Sequence, residues 1–185
     1  MSNKKIVADL DDVLAKSVPA FLRWLSINLG KKVSIDDLLI LSSEEFEKAY
    51  TVTKDWVLTD AQKEFFKDEK ELENIESYNG NLRNIECVVI TGREEYVRDV
   101  TSYWLKKHFK FDGNLYLTNW DNDQKVEKIL QQKPQIYVDD NAKLLDKIKK
   151  CNYGISLYLV AQPWNKTSLR GIEDETGIVR INEIY

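Results

Sequence analysis

Two cysteines and one histidine in 185 residues leave thin material for a disulfide framework or a thiolate or imidazole metal site. Cys87 and Cys151 both adjoin apolar stretches, which predicts buried thiols in a reducing compartment. His108 has no second histidine to share a metal with, and its run Lys106-Lys107-His108 predicts a helix-end surface position. Only three prolines occur, far apart, at Pro19, Pro134 and Pro163, and there is no internal repeat, low-complexity tract or long linker. Nor is there an apolar run long enough for a signal segment or a membrane span, so the cytoplasm is the expected compartment and no membrane partner is expected.

Charge of one sign is also missing in quantity. The net charge of -4 argues against a broad nonspecific nucleic-acid surface, although a local basic patch would survive that average. With 31% charged and 43% hydrophobic residues the chain reads as globular, one domain or a domain carrying an insert. Small phosphorylated substrates therefore rank above polymeric ones, with nucleic-acid ends retained as an alternative.

What is present is concentrated at the ends of apolar runs. Ile6-Val7-Ala8 stops at Asp9-Leu10-Asp11-Asp12. A buried parallel strand delivers its functional groups at the carboxyl edge of the sheet, so Asp9 and Asp11 are expected in a ligand crevice. A carboxylate can attack a phosphoryl group and form an acyl-phosphate, dividing one hard displacement into two easier ones; Asp9 is the expected nucleophile. Asp11 is placed to protonate the leaving oxygen and then to deprotonate the attacking water. Carboxylates repel a phosphate dianion, so a hard, oxygen-ligated cation such as Mg²⁺ is required. Its further ligands are expected from Asp139-Asp140, which end a second apolar run, Ile136-Tyr137-Val138.

Between these lies a third run, Cys87-Val88-Val89-Ile90, ending in Thr91-Gly92-Arg93. The Thr91 hydroxyl and nearby N–H groups can hold a phosphoryl oxygen, and Gly92 permits close backbone approach. Arg93 has two open readings, contact with phosphate or sugar, or pairing with Glu94, Glu95 or an acidic residue of the insert. Lys125 would screen nucleophile and phosphoryl group from each other, with Lys128 as its competitor. Asp146 is expected at the surface. Each motif alone has an ordinary reading, a solvated turn, a helix N-cap or a surface lysine. Their conjunction, each at the end of an apolar strand, is what points to catalysis.

The remaining pattern supplies the frame. Val18, Phe21, Leu22, Leu25 and Leu29 recur at helical spacing until Gly30, and Ser34 offers a cap to a second helix. Helical patterns over 43–50 and about 59–73 follow with no strand before Cys87. Strands over 86–91, 114–118, 135–139 and 154–160 then alternate with helices over 94–108, around Lys125 and over 141–150, and a short strand is expected near Ile178 to Ile181. Such alternation predicts an α/β fold, a three-layer α/β/α Rossmann-like sandwich with a mainly parallel sheet. Residues 1–15 and 80–185 form the expected core and 16–79 a helical cap. Phe21, Trp24, Phe46, Tyr50, Trp56, Phe65 and Phe66 enrich the cap in aromatics; most should fill its own core, and Trp56 is the leading candidate for substrate contact. Such a cap can equally serve a homodimer.

The order Asp9-x-Asp11, Thr91, Lys125, Asp139-Asp140 resembles the four motifs of the haloacid dehalogenase (HAD) superfamily of phosphohydrolases. Asp9-Leu10-Asp11-Asp12-Val13-Leu14-Ala15, Thr91-Gly92-Arg93 and Gln162-Pro163-Trp164-Asn165 are most similar to its 5'(3')-deoxyribonucleotidase group. That group usually has Gly where this chain has Asp12, and often an aromatic substrate contact where it has Ser17. The resemblance implies a C1-type cap, Mg²⁺ bound by Asp9, the Asp11 carbonyl and Asp140 with help from Asp139, and a 5'-nucleotidase activity on nucleoside or deoxynucleoside monophosphates. The fourteen-residue spacing from Lys125 to Asp139, common in similar sequences, favours Lys125 over Lys128. Sugar phosphates are the alternative substrates. A dehalogenase would need neither Asp11 nor the acidic pair, and a silent binding module would not need the full set.

Overall fold

Short runs of β-branched and aliphatic residues, too brief for helices and bounded by polar turns, form the centre of the molecule. In the computed structural model, which describes residues 5–40, 64–78, 86–151, 154–165 and 177–181, they make one six-stranded sheet. Its strands are β1 (Ile6–Ala8), β2 (Cys87–Thr91), β3 (Asn114–Leu117), β4 (Ile136–Asp139), β5 (Ser156–Val160) and β6 (Ile178–Ile181). The order is β3-β2-β1-β4-β5-β6 and every pairing is parallel. Residues of β2 are buried throughout, as a strand covered on both faces must be.

The helices described with both ends are α1 (Ser17–Leu29), α2 (Ile35–Ile40), α3 (Glu69–Glu73), α4 (Arg98–Phe109), α5 (Asn122–Gln132) and α6 (Ala142–Lys150), and residues 64–67 are helical as well. Their ends follow the local chemistry. Gly30 closes α1 in the left-handed conformation. Ser34 and Asp37 form a reciprocal capping pair before α2. Asp121 and Asn141 each accept two N–H groups at the starts of α5 and α6. Among the described residues no helix is long and apolar enough to cross a membrane.

The two sheet faces carry different cores. Val7, Val88, Ile90 and Tyr137 pack with Val126, Ile129, Leu145 and Ile148 of α5 and α6. On the other face Ala8, Val89 and Val138 join Trp104 and Leu105 of α4. That second cluster continues into the segment between β1 and β2, taking in Phe21, Leu25, Phe65, Leu72 and Ile75. Trp104 ties the two together, its indole N–H donating to the Ile75 carbonyl at 2.8 Å. Trp104 is therefore buried while its neighbour Tyr103 is exposed.

Two surface expectations need correction. Cys87 is buried but Cys151 is exposed just beyond the end of α6, where the apolar stretch has already ended. His108 is half-buried, stacked against Trp104 with ring centroids 4.7 Å apart, because it shares that residue's side of the helix. Burial pushes the Cys87 thiol up to about 12, leaving almost no thiolate near neutrality. A thiol reagent at pH 8 is therefore expected to modify Cys151 rapidly in the native protein and Cys87 only after denaturation. Equal native rates, read by peptide mapping, would contradict this packing.

Candidate active site

The chain reverses to one side of the sheet after β1 and returns as β2, then crosses to the other side for β4. The crevice this opens lies at the carboxyl ends of the central strands. The Asp9 N–H donates to the Val138 carbonyl at 2.9 Å, fixing the end of β1 against β4. Beyond it the chain winds a tight turn in which Leu14 and Ala15 both donate to the Leu10 carbonyl at 2.9 Å. Asp12 sits in that turn at φ 58°, a left-handed conformation that glycine adopts freely and aspartate tolerates better than most side chains. Its carboxylate accepts the Val18 N–H at 2.9 Å and so caps α1, which has no side-chain cap from Lys16. The Asp12 departure is thus a capping residue in a left-handed position, and burial pushes its carboxyl up to about 8.

The two stems of the inserted segment are stitched together beside this turn. Lys16 N–H donates to Glu76 and Tyr78 N–H to Leu14, both at 2.8 Å. Everything between these positions therefore enters and leaves at the mouth of the crevice.

Asp9, Asp139 and Asp140 meet there, each offering an oxygen, all within 4.8 Å of one another. The buried ammonium of Lys125 lies 2.9 Å from Asp9 Oδ1 and 3.0 Å from Asp139 Oδ2. Burial would pull this lysine down, but the two carboxylates hold it protonated, above its ordinary value. Asp9 is raised well above the usual carboxylate range, first by burial and then by the charges of Asp139, Asp11 and Asp140, against the opposing pull of Lys125. Asp139 is tightly held. Tyr137 O–H donates to its Oδ2, and Asn141 N–H to its Oδ1 at 2.7 Å. By contrast Asp9 Oδ1 is met by the Lys125 ammonium. A buried, all-carboxylate donor set of this kind fits a hard divalent cation.

Asp11 faces the other side of the crevice. Arg93, 1% exposed, grips it with Nε at 3.0 Å from Oδ2 and Nη2 at 2.7 Å from Oδ1. Thr101 of α4 accepts the third guanidinium nitrogen, Nη1, at 3.1 Å. The Ser17 hydroxyl donates to Asp11 Oδ1, and the Thr91 hydroxyl to Oδ2 at 3.3 Å. Burial alone would raise the Asp11 carboxyl, but the Arg93 charge and hydrogen bonds, with Ser17 and Thr91, bring it below its ordinary value. Of the two open readings for Arg93, pairing with Glu94 or Glu95 does not form. Glu95 binds Arg98 instead, and Arg93 turns inward because Asp11 and Thr101 satisfy its buried fork.

The structure thus brings Asp9, Asp11, Thr91, Gly92, Arg93, Lys125, Asp139 and Asp140 to one strand edge. Lys128 lies elsewhere, over the Tyr116 ring at 5.6 Å, and Asp146 pairs with Lys150 at the surface. Trp56, Phe46 and Tyr50 fall outside the described residues.

Other contributors take roles that the sequence did not assign to them. Tyr137 reads as a core residue of its strand, yet its hydroxyl holds Asp139. Ser17, in the sequence only a departure from the deoxyribonucleotidase pattern, is brought by the turn after β1 to donate to Asp11. The Gln162 to Asn165 segment braces the site from behind: Gln162 Nε2 donates to the Asp12 carbonyl at 2.6 Å, and Asn165 Nδ2 to the Asp140 carbonyl at 2.9 Å. Trp120, in the loop after β3, lies against Gly92 and was not anticipated either.

No protein-family model and no curated protein matches the chain. Solved structures do. A HAD-superfamily hydrolase of subfamily IA from Geobacter sulfurreducens aligns over 98% of this chain and 92% of its own, with 15% identity and a TM-score of 0.58. A haloacid dehalogenase-like hydrolase from Streptococcus pneumoniae aligns over 97% and 94%, with 15% identity and a TM-score of 0.60. CbbY from Rhodobacter sphaeroides, solved in complex with phosphate, aligns over 96% and 92%, with 12% identity and a TM-score of 0.54. The parallel sheet with its interrupted first crossover is the HAD fold, a Rossmann-like α/β architecture shared with these hydrolases.

Proposed function

We propose that this protein is a Mg²⁺-dependent phosphomonoesterase working through an aspartyl-phosphate on Asp9, with nucleoside or deoxynucleoside monophosphates as its substrates. The observation that carries the reading is the meeting of Asp9 with Lys125, Asp139 and Asp140 on one side of the crevice and Asp11 on the other. Asp9 Oδ attacks phosphorus as the ester P–O bond breaks, and Asp11 delivers a proton to the leaving oxygen. Water then attacks the acyl-phosphate, Asp11 takes its proton, and phosphate and free Asp9 result. Bound Mg²⁺ would neutralise charge between Asp9 and the phosphoryl oxygens, held by Asp9, Asp140 and the Asp11 carbonyl, with Asp139 supporting its waters.

The Thr91 hydroxyl and the N–H groups around Gly92 receive a phosphoryl oxygen, and Lys125 screens it from Asp9. Arg93 acts through Asp11. While the guanidinium grips it, Asp11 is held as a carboxylate, so its turn as an acid requires release from Arg93 and uptake of a proton from solvent, which it then delivers to the leaving oxygen. Residues 16–79 act as the cap over this crevice, and the free thiols fit a cytoplasmic setting. That CbbY, which shares this fold, was solved in complex with phosphate supports the phosphate reading. The monophosphate preference rests on the sequence likeness to deoxyribonucleotidases.

The test is phosphate release from nucleoside 5'- and 3'-monophosphates, sugar phosphates and phosphorylated DNA ends, with Mg²⁺ and with EDTA. Release from mononucleotides that EDTA abolishes is the expected result. Release confined to sugar phosphates or DNA ends would leave the chemistry standing and overturn the nucleotidase reading; no release from any of them would overturn both.

A further inference from the structure

The rim of the crevice carries an aromatic corner that the phosphoryl chemistry does not use. Trp120 is 48% exposed although it is rooted in the phosphate side of the site. The loop after β3 is bonded residue by residue to the segment after β2. Thr118 N–H donates to Thr91, Asn119 N–H to Arg93 and Trp120 N–H to Gly92, the last at 2.6 Å. Asn119 and Trp120 both take left-handed conformations, φ 49° and 61°. For a bulky side chain that conformation is unfavourable, and strain of this kind persists where the surroundings impose it.

What the strain achieves is placement of the indole. A Cβ added at Gly92 would come within 3.2 Å of the indole ring, so Gly92 leaves room for the tryptophan as well as for phosphate. The indole meets Phe66 edge-on, centroids 5.1 Å apart and planes at 66°, and the Phe66 ring in turn lies 5.4 Å from the guanidinium carbon of Arg93. One chain of contacts therefore runs from the exposed indole through Phe66 and Arg93 to Asp11, the residue facing the leaving group. The two rings come from distant parts of the chain, Trp120 from the loop after β3 and Phe66 from the segment inserted between β1 and β2.

We propose that Trp120 and Phe66 form the wall on which the planar heteroaromatic base of a nucleoside monophosphate, carried by the departing nucleoside, stacks, and that Trp120 sets the discrimination against base-free sugar phosphates. The inference rests on the phosphomonoesterase reading and deepens it. A base can lay its π-face on one ring and set its edge against the other, inclined at 66° to the first, whereas a saturated sugar is recognised chiefly through its hydroxyls. The corner itself offers apolar rings, and the Asn119 side-chain carbonyl beside it is already taken by the Glu95 N–H.

The experiment compares kcat/KM for thymidine 5'-monophosphate and 2-deoxyribose 5-phosphate, which differ by the base alone, in the wild type, Trp120→Asn and Trp120→Phe. Asparagine is chosen because it accepts the left-handed backbone, so the loop keeps its course. The ratio of the two kcat/KM values is expected to fall about ten- to a hundredfold in Trp120→Asn, chiefly through KM for the nucleotide, and to stay within about threefold in Trp120→Phe. A wild-type ratio well above one that Trp120→Asn leaves unchanged within twofold would overturn the role of Trp120 and leave the nucleotidase reading intact. A wild-type ratio near one would overturn both, and circular dichroism of each variant confirms that the loss is not one of folding.

Discussion

Asp9→Asn is expected to lower turnover of any accepted phosphomonoester on the order of a thousandfold or more while the protein stays folded. The amide has the carboxylate's shape but cannot form the acyl-phosphate. Folding should tolerate the exchange, because burial and the charges of Asp139, Asp11 and Asp140 all disfavour ionised Asp9. Lys125 loses one partner but retains Asp139 at 3.0 Å. The thermal midpoint at neutral pH should therefore be equal to or above that of the wild type. Steady-state phosphate release and a melting curve check both halves. Hydrolysis by the variant at a tenth or more of the wild-type rate would remove Asp9 from the role of nucleophile.

Lys125→Met should be the most damaging single change to stability among the site residues. Methionine follows the lysine stem, so the packing beside Val126 and Ile129 is kept, but Asp9 and Asp139 lose the cation between them. Removing one member of a buried ion pair costs about 3–5 kcal/mol, because the remaining charge is left without compensation. The sign of the pH dependence follows. Asp9 is a carboxyl whose folded pKa is raised, so it favours folding fully below its unfolded value near 3.8 and loses that contribution as pH climbs through its raised value. Without Lys125 the rise is larger. The stability gap between variant and wild type should therefore be widest near pH 8 and narrow toward pH 5, as urea midpoints at both values will show. A gap independent of pH would mean that lost packing, not uncompensated charge, is the cause.

The position of Arg93 shows where residue-by-residue reading stops. From the chain, an arginine following Thr91-Gly92 can contact phosphate or sugar or pair with Glu94, Glu95 or an acidic residue of the insert, and nothing local decides between these readings. The fold decides because the side chain points into a site where Asp11 and Thr101 wait, Asp11 at bidentate geometry, 82 and 8 residues away in sequence. Asp12 teaches the same lesson in reverse. As a sequence departure it reads as a missing glycine, and only its backbone angle and the Val18 N–H it accepts reveal a cap. Trp120 carried no signal, since a tryptophan followed by Asp121-Asn122 in a polar stretch has no periodicity to place it.

The sequence by itself determined the strands, their alternation with helices, and the set of carboxylates, hydroxyl and lysine at the strand ends. Those features are legible because apolar runs and their polar stops are local, set by burial over a few residues. Tertiary structure alone decided the strand order, the grip of Arg93 on Asp11, the bracing of Asp139 by Tyr137 and of Asp140 by Asn165, and the corner of Trp120 and Phe66. Each of these joins residues distant along the chain, and whether a buried fork, hydroxyl or ring finds its partner depends on the direction its side chain takes once the sheet is assembled.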